Sequence, residues 1–489
     1  RIHSAEGMEV SYVYNSLDQL EGIHYGNGVR TTYAYDCDGN ISHLETKTES
    51  AVLLSFSYQY DGNGNRTAKT GTQGLTAGSS ALQPAAIDIS YRYDVRGQLL
   101  EERRNNMPVC YEYDAAGNRI RKTEGEKETR YHYNAKNQLI CEENAGGIKS
   151  FTYDRQGGIV EEKGQTGPRR FTYNSRHQQI RVQTETGNVQ ENCYDAEGLR
   201  YELLENGRRT SFVYHNGELL HEKGGETGLS GEETSYHLGV GIEAFQRKQK
   251  IFYYHRDEQL NTTLISDGDA KLRNQYQYDA FGVGLDALEE LSNRIRYTGQ
   301  QYDQLTGQYY LRARYYNPIL GRFMQEDVYQ GDGLDFYLYC HNNPVIYYDP
   351  SGFVPLDKKG FYVYGLYDNG STTPYYIGIT DDTIRRTQEH IKSGRLDPKK
   401  ASLQPIENKV VYGNARGYEQ YYIKKFHTLT GIIGQKISPK NRGNKINSFR
   451  ESRNDDRAKW FKAAYQCLER RDAASGNQEE IKGGSGCQT

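Results

Sequence analysis

The sequence predicts a mainly β protein, a long spiralling antiparallel shell followed by a small α/β domain, on three observations. Tyrosine is abundant, with 44 residues against 14 phenylalanines and one tryptophan. A short aromatic motif recurs in register along the first 350 residues or so. Lysine and arginine then gather in the last quarter, where the motif stops.

The motif builds the first element. Segments 33–40, 58–65, 91–98 and 111–118 all read Tyr-x-Tyr-Asp-x-x-Gly-Asn/Gln. Looser copies follow at 131–134, 151–154, 171–174, 194–195, 212–214 and 276–279. Alternating aromatic and polar residues have the period of two that a strand requires, and Asp/Asn-x-x-Gly supplies the positive φ of a turn. The alternation that follows, as at 98–103, reads as the return strand. One hairpin cannot bury its aromatic face, so the copies must stack into a continuous sheet. Repeat tyrosines and aspartates are therefore expected to be structural: packed rings, and carboxylates bonded to turn amides. Hydrophobic residues are only 35% of the chain and glycine numbers 52, which disfavours an ordinary compact α/β enzyme.

Bulk features exclude other classes. No run of about 18 apolar residues occurs, so no transmembrane helix is expected. Seven scattered cysteines without Cys-x-x-Cys spacing argue for reduced thiols rather than a zinc site or disulfide framework. The chain opens at Arg1 without a hydrophobic leader, so any export signal is expected upstream. Residues 354–489 carry 24 Lys+Arg against 15 Asp+Glu, and residues 1–353 carry 37 against 49, so an acidic body precedes a basic tail suited to a polyanion.

The repeats resemble the YD-repeat family, which comprises Rhs proteins, insecticidal-complex C proteins and teneurins. The resemblance implies a hollow β shell, here residues 1–295, that encloses the polypeptide following it. Residues 296–353 resemble the Rhs-associated core and end in Pro344-x-x-x-x-Asp349-Pro-x-Gly352. In several relatives this core is an aspartyl autoprotease. The resemblance implies cleavage between Phe353 and Val354, with Asp327 and Asp349 as the carboxylate pair, Asp332 in reserve and Arg322 as charge partner. Two close carboxylates can share a proton, one activating water while the other protonates the carbonyl oxygen.

The payload, residues 354–472, precedes a Gly/Ser-rich flexible tail at 473–489. Segments 361–367 and 374–380 read as strands joined by a turn at 368–371. Helices are expected at 381–393, capped by Asp381 or Asp382, at 417–427 and at 454–471. Tyr376-Ile377-Gly378 running into a helix that bears Arg386 and His390 resembles the GIY-YIG nuclease domain. Arg386 and His390 are four apart and share a helix face. Tyr364 is the first-motif tyrosine, with Tyr367 as the alternative register. The resemblance implies that Glu419 binds one Mg2+ or Mn2+ ion and that a late asparagine completes the site; Asn447 is preferred over Asn441 and Asn444. Phosphodiester cleavage needs a nucleophilic water, charge neutralisation on the phosphoryl oxygens and help for the leaving oxygen. Tyr364 would deprotonate or orient that water, and Arg386 would clamp phosphate. Lys399, Lys400, Lys424, Lys425, Lys436, Lys440, Arg442 and Lys445 are the candidate backbone contacts.

The expected function is thus a secreted bacterial toxin whose metal-dependent endonuclease cuts nucleic acid, DNA favoured, in the cytoplasm of a target cell. A cognate immunity protein, an upstream part of the same toxin and its secretion apparatus are the expected partners. The alternative is a cell-surface adhesion or carbohydrate-binding shell whose tail is inactive or merely binds nucleic acid.

Overall fold

The computed structural model describes residues 2–3, 7–17, 19–74, 85–225, 232–327, 335–352, 361–380, 383–432, 435–438, 441–445, 447–448 and 461–472. Asp332, Phe353, Val354, Lys440 and the expected helix caps Asp381 and Asp382 lie outside them. The chain divides into two compact units, Arg1–Phe353 and Val354–Thr489.

In the first unit, 27 strands among the described residues form one antiparallel sheet in which each strand pairs with its neighbours in sequence. The copy at 111–118 shows how the repeat works. Tyr111 is buried, and its neighbour two residues on, Tyr113, donates its hydroxyl to the Leu99 carbonyl at 2.8 Å. Asp114 Oδ1 accepts the amides of Ala116 and Asn118 at 2.9 Å, and Gly117 takes φ +92°. The register slips by one residue between Glu112 and Tyr113, which aims the second ring back over the preceding strand. The same hydroxyl-to-carbonyl bond recurs from Tyr133 to Arg119, from Tyr153 to Leu139 and from Tyr173 to Ile159. Where glycine is missing, Asn137 and His177 adopt the positive φ instead.

The sheet coils until residues about two hundred apart meet: Tyr58 bonds Glu258, Arg66 pairs with Glu258 at 2.6 Å, and Lys69 pairs with Asp257 at 2.9 Å. The segment after residue 295 contributes a second, four-stranded antiparallel sheet made of Gln301–Asp303, Gln308–Leu311, Arg314–Asn317 and Arg322–Phe323. It packs within the same unit, with Tyr310, Tyr315, Leu320 and Met324 against the repeat aromatics Tyr131, Phe151 and Phe171. Arg200 and Asp303, both fully buried, join repeat to core through a two-pronged bond.

The second unit has a three-stranded antiparallel sheet and its own core. Strand β1 (Phe361–Asp368) lies between β2 (Tyr376–Thr380) and β3 (Ala401–Val410); helices α1 (Thr383–Lys392) and α2 (Tyr412–Lys425) and a helix at 461–472 complete it. Strand β3 lies where the sequence assigns no element, and Pro405 with the polar residues around it gives no strand pattern. It is tolerated on the sheet edge beside two register shifts. Helix α2 starts five residues before the expected position, through Gly413, Asn414 and Gly417. Gly417 is weak in a helix, but a Cβ there would lie 2.4 Å from the Phe461 carbonyl, so close helix packing outweighs propensity.

No helix among the described residues is long and apolar enough to cross a membrane.

Candidate active site

The side chains at the heart of the second unit come from β1, β2 and α1. Tyr364 is opposite Gly378 in the β1–β2 ladder. A Cβ on Gly378 would lie 2.5 Å from the Tyr364 hydroxyl and 2.9 Å from the Tyr376 ring, so the glycine of the Tyr-Ile-Gly motif provides the room in which the two tyrosines meet. The Tyr364 oxygen lies 2.7 Å from His390 Nε2 and accepts from Arg386 Nε at 3.0 Å. Arg386 can only donate, so the phenolic hydrogen is free of it, and it reaches His390 in the tautomer whose Nε2 carries no hydrogen. Tyr376 packs edge-on against His390 with ring centroids 5.2 Å apart.

Burial, with the neighbouring Tyr376 adding to it, pushes the Tyr364 phenol well above its ordinary value; Arg386 opposes this and does not offset it. Burial first, then the charges of Arg386 and Arg395, push His390 down to about 3. At neutral pH the pair is therefore a neutral phenol beside a neutral imidazole. Tyr367, the alternative register, is opposite Ser402 on the other ladder and stands outside this cluster.

Glu419 projects from α2, and its charge contributes to raising the Tyr364 phenol. Its Oε2 accepts from Arg416 Nη1 at 3.0 Å and from the Ser448 hydroxyl at 2.6 Å. Oε1 makes no hydrogen bond among the described residues. One open carboxylate oxygen suits a hard divalent ion that takes its remaining ligands from water and phosphate. Among the described residues no group of three or more His, Cys, Asp or Glu is placed to hold a metal.

The asparagines have separate tasks. Asn444 is buried and pins the second strand, accepting from the Ile377 amide at 2.9 Å and donating to the Ile377 carbonyl at 2.8 Å. Asn441 bonds its own loop at Ile432 and Lys436. Asn447, the preferred choice, is exposed and accepts from Gln420. Sequence reasoning missed Arg416, although Arg416-x-x-Glu419 is an i, i+3 pair that a helix brings together. It also missed Ser448, for which the sequence carries no signal.

Several basic candidates are already engaged. Arg442 pairs with Asp368 and stacks 3.7 Å over Tyr375; Lys425 pairs with Asp472; Lys400 is 3.8 Å from Asp397. Lys424 lies 5.1 Å over the Tyr465 ring, and Lys445 donates to the Gln435 carbonyl at 2.5 Å. Lys399 and Lys436 are exposed.

A second constellation lies in the first unit. Asp349 is fully buried, and its Oδ1 accepts from the Ser351 amide at 3.0 Å. Arg314 Nη2 is 2.8 Å from Asp327 Oδ2 and 4.0 Å from Asp349 Oδ2, while its Nε donates to the Gly352 carbonyl at 2.5 Å. The expected charge partner is thereby corrected. Arg322 is held elsewhere by Asp335 at 3.4 Å and the Asn137 carbonyl at 2.8 Å, sandwiched against Tyr133 and Tyr337.

The sequence profile of the Teneurin YD-shell family matches residues 79–345. The tRNA(Glu)-specific nuclease WapA of Bacillus subtilis subsp. natto is 31% identical over 258 residues, which is 46% of this chain and 11% of that protein. Toxin protein Tse5 of Pseudomonas aeruginosa is 33% identical over 106 residues, 22% of this chain and 8% of that one. The chain thus spans about a tenth of the length of these relatives. The solved structure of TcdB2-TccC3-TEV superposes on 71% of this chain and 19% of its own with a TM-score of 0.59 at 18% identity, a likeness of fold.

Proposed function

From a chain that belongs to the Teneurin YD-shell family, we propose part of an exported polymorphic toxin whose second unit is a metal-dependent endonuclease of the GIY-YIG type. The observation that carries this reading is the hydrogen-bond chain Arg386–Tyr364–His390 packed against Gly378. The names of two relatives, a tRNA nuclease and a toxin, support it.

In this reading Arg386 contacts a nonbridging phosphate oxygen and Tyr364 orients the attacking water. As water attacks phosphorus, the bond to the leaving sugar oxygen breaks; the water's proton passes to the Tyr364 oxygen, the phenolic hydrogen to His390 Nε2, and the imidazole, which burial keeps neutral at rest, gives that proton up at once through solvent to the leaving oxygen. No buried phenolate need form beforehand, which fits a phenol that burial holds in its neutral form. Glu419 would hold one Mg2+ or Mn2+ ion, which supplies charge neutralisation at the phosphate and leaving oxygen. DNA is the favoured substrate, and RNA is the second reading because of the relative's name. The toxin acts in the cytoplasm of a target cell, and its producer needs an immunity protein that masks the site.

The test is cleavage of plasmid DNA and of bulk tRNA by the purified chain with and without Mg2+. Glu419→Gln should lower the rate by at least about a hundredfold, as loss of a group that acts in the transition state does. Full activity in that variant would refute the assignment.

The Asp327–Arg314–Asp349 arrangement favours a second activity, autoproteolysis after the core motif. It would release the second unit through hydrolysis of the Phe353–Val354 bond.

A further inference from the structure

The turn after α1 carries a cation that the proposed chemistry does not use. The helix ends on Gly394 at φ +75°, and the reversal lets the Arg395 amide bond the His390 carbonyl at 2.9 Å. The Arg395 carbonyl in turn accepts the Tyr375 hydroxyl at 3.0 Å, so the backbone is fixed on both sides. Its guanidinium then stacks over Tyr376, 4.3 Å from the ring centroid, on the tyrosine that also packs against His390.

Arg395 differs from its neighbours in what it bonds. Arg386, Arg416, Arg442 and Arg471 each have a carboxylate, Glu389, Glu419, Asp368 and Glu407 respectively. Among the described residues Arg395 has neither a carboxylate nor a carbonyl, and its Nε is buried without an acceptor. A guanidinium with neither carboxylate nor carbonyl to bond is left to pair with an incoming oxyanion. Arg395 as a whole is only partly covered. A planar guanidinium held against an aromatic ring keeps its fork oriented, and phosphate oxygens match that fork.

We propose that Arg395, oriented by Tyr376 and the Gly394 turn, forms a second phosphate subsite that binds the nucleic-acid backbone phosphate flanking the one at Arg386. The proposal rests on the nuclease reading for its location relative to the scissile bond, but the subsite itself is a matter of binding and is read without cleavage.

The experiment uses the full chain carrying Glu419→Gln, with fluorescein-labelled single-stranded DNA and labelled tRNA as probes, titrated across a range of salt concentrations. Arg395→Gln should weaken binding about tenfold at low salt. It should also flatten the slope of log K against log salt by about 0.7 on a single strand, one phosphate contact's worth. Arg395→Lys should restore the slope, because the charge returns, but not the whole affinity, because the fork does not. A purely structural role for Arg395 would change the fraction of competent protein and leave the slope alone. A slope unchanged in Arg395→Gln, or no binding of either probe by the parent, overturns the subsite. Arg395-dependent binding without Mg2+-dependent cleavage by the Glu419 chain would sink the nuclease reading and leave the subsite standing. The probe that shows the slope change identifies whether the backbone is DNA or RNA.

Discussion

The Tyr364 hydroxyl stands 2.7 Å from His390 Nε2, with Arg386 Nε donating to the same oxygen at 3.0 Å, so one phenolic oxygen links the arginine to the histidine. Tyr364→Phe removes the relay and keeps the ring. The nuclease rate should fall by about 10²–10⁴-fold, the usual worth of a general acid–base group, with little change in the thermal midpoint. His390 is held down to about 3, so its charge does not change across the physiological range. A profile of rate against pH from 5 to 8 should therefore show no step near the ordinary histidine value of about 6.5. A step there that disappears in His390→Gln would contradict the buried neutral imidazole.

Gly378 is the more sensitive position. A methyl group there would sit 2.5 Å from the Tyr364 oxygen and 2.9 Å from a Tyr376 ring carbon. Gly378→Ala should cost about 1–3 kcal/mol of stability, as overpacking does, and abolish cleavage by displacing Tyr364 from His390. Chemical denaturation and plasmid nicking on the same preparation check both. Wild-type values for the two would show that the pocket is looser than the contacts require.

The readable and unreadable parts of this chain divide on a physical line. The shell was legible because each repeat carries its whole cause locally: Asp114 bonds its own turn, and Tyr113 bonds the strand just before. Tyr364, Arg386 and His390 are named through the resemblance carried by Tyr376-Ile377-Gly378; helix periodicity gives Arg386 and His390 one face, while the loop length leaves Tyr364 and Tyr367 both open, and only strand pairing sets Tyr364 opposite Gly378. Contacts decided by tertiary approach were not legible. Arg314, rather than Arg322, reaches Asp327, since sequence distance does not say which arginine the small core sheet turns inward. Strand β3 and the early start of α2 likewise depend on the sheet edge and on the 461–472 helix, which override Pro405 and Gly417.

The shell contains its own buried histidine. His255 is fully buried, 2.8 Å from the Ser266 hydroxyl and edge-on to Tyr25, and burial with the Arg256 charge pushes it down to about 3. The unfolded chain binds a proton near pH 6.5 that the folded chain refuses, so this group's contribution is complete above that value and is lost as pH falls toward 3. Asp279, held up to about 6 by burial and by Glu102, acts in the opposite sense, so the wild-type profile alone is ambiguous. The difference between wild type and His255→Gln isolates the histidine. The variant should lose stability at pH 7 and a smaller amount at pH 4.5, measured as urea midpoints. An equal loss at both values would mean that His255 is not held neutral.

The core constellation predicts that two kinds of substitution separate. Arg314 carries a buried guanidinium between Asp327 and Asp349 and also holds the Gly352 carbonyl, one residue before the proposed scissile bond. Gly352 itself sits at φ +73°, and a Cβ there would lie 2.5 Å from the Leu311 carbonyl and 2.9 Å from the Arg314 amide, so the turn is locked against the reversal that leads into the strand bearing Arg314. Arg314→Met removes the buried cation 2.8 Å from Asp327 and should cost about 3–5 kcal/mol, the usual penalty for breaking a buried ion pair. Asp349→Asn keeps the shape, and its amide can still accept from Ser351. It should preserve the fold and stop self-cleavage. N-terminal sequencing of the smaller fragment from the wild-type chain should begin at Val354, and the Asp349→Asn chain should run as one band. A wild-type chain that stays whole, or an Asp349→Asn chain that still splits, would exclude Asp349 as a catalytic group and leave the aspartate–arginine cluster a purely structural lock.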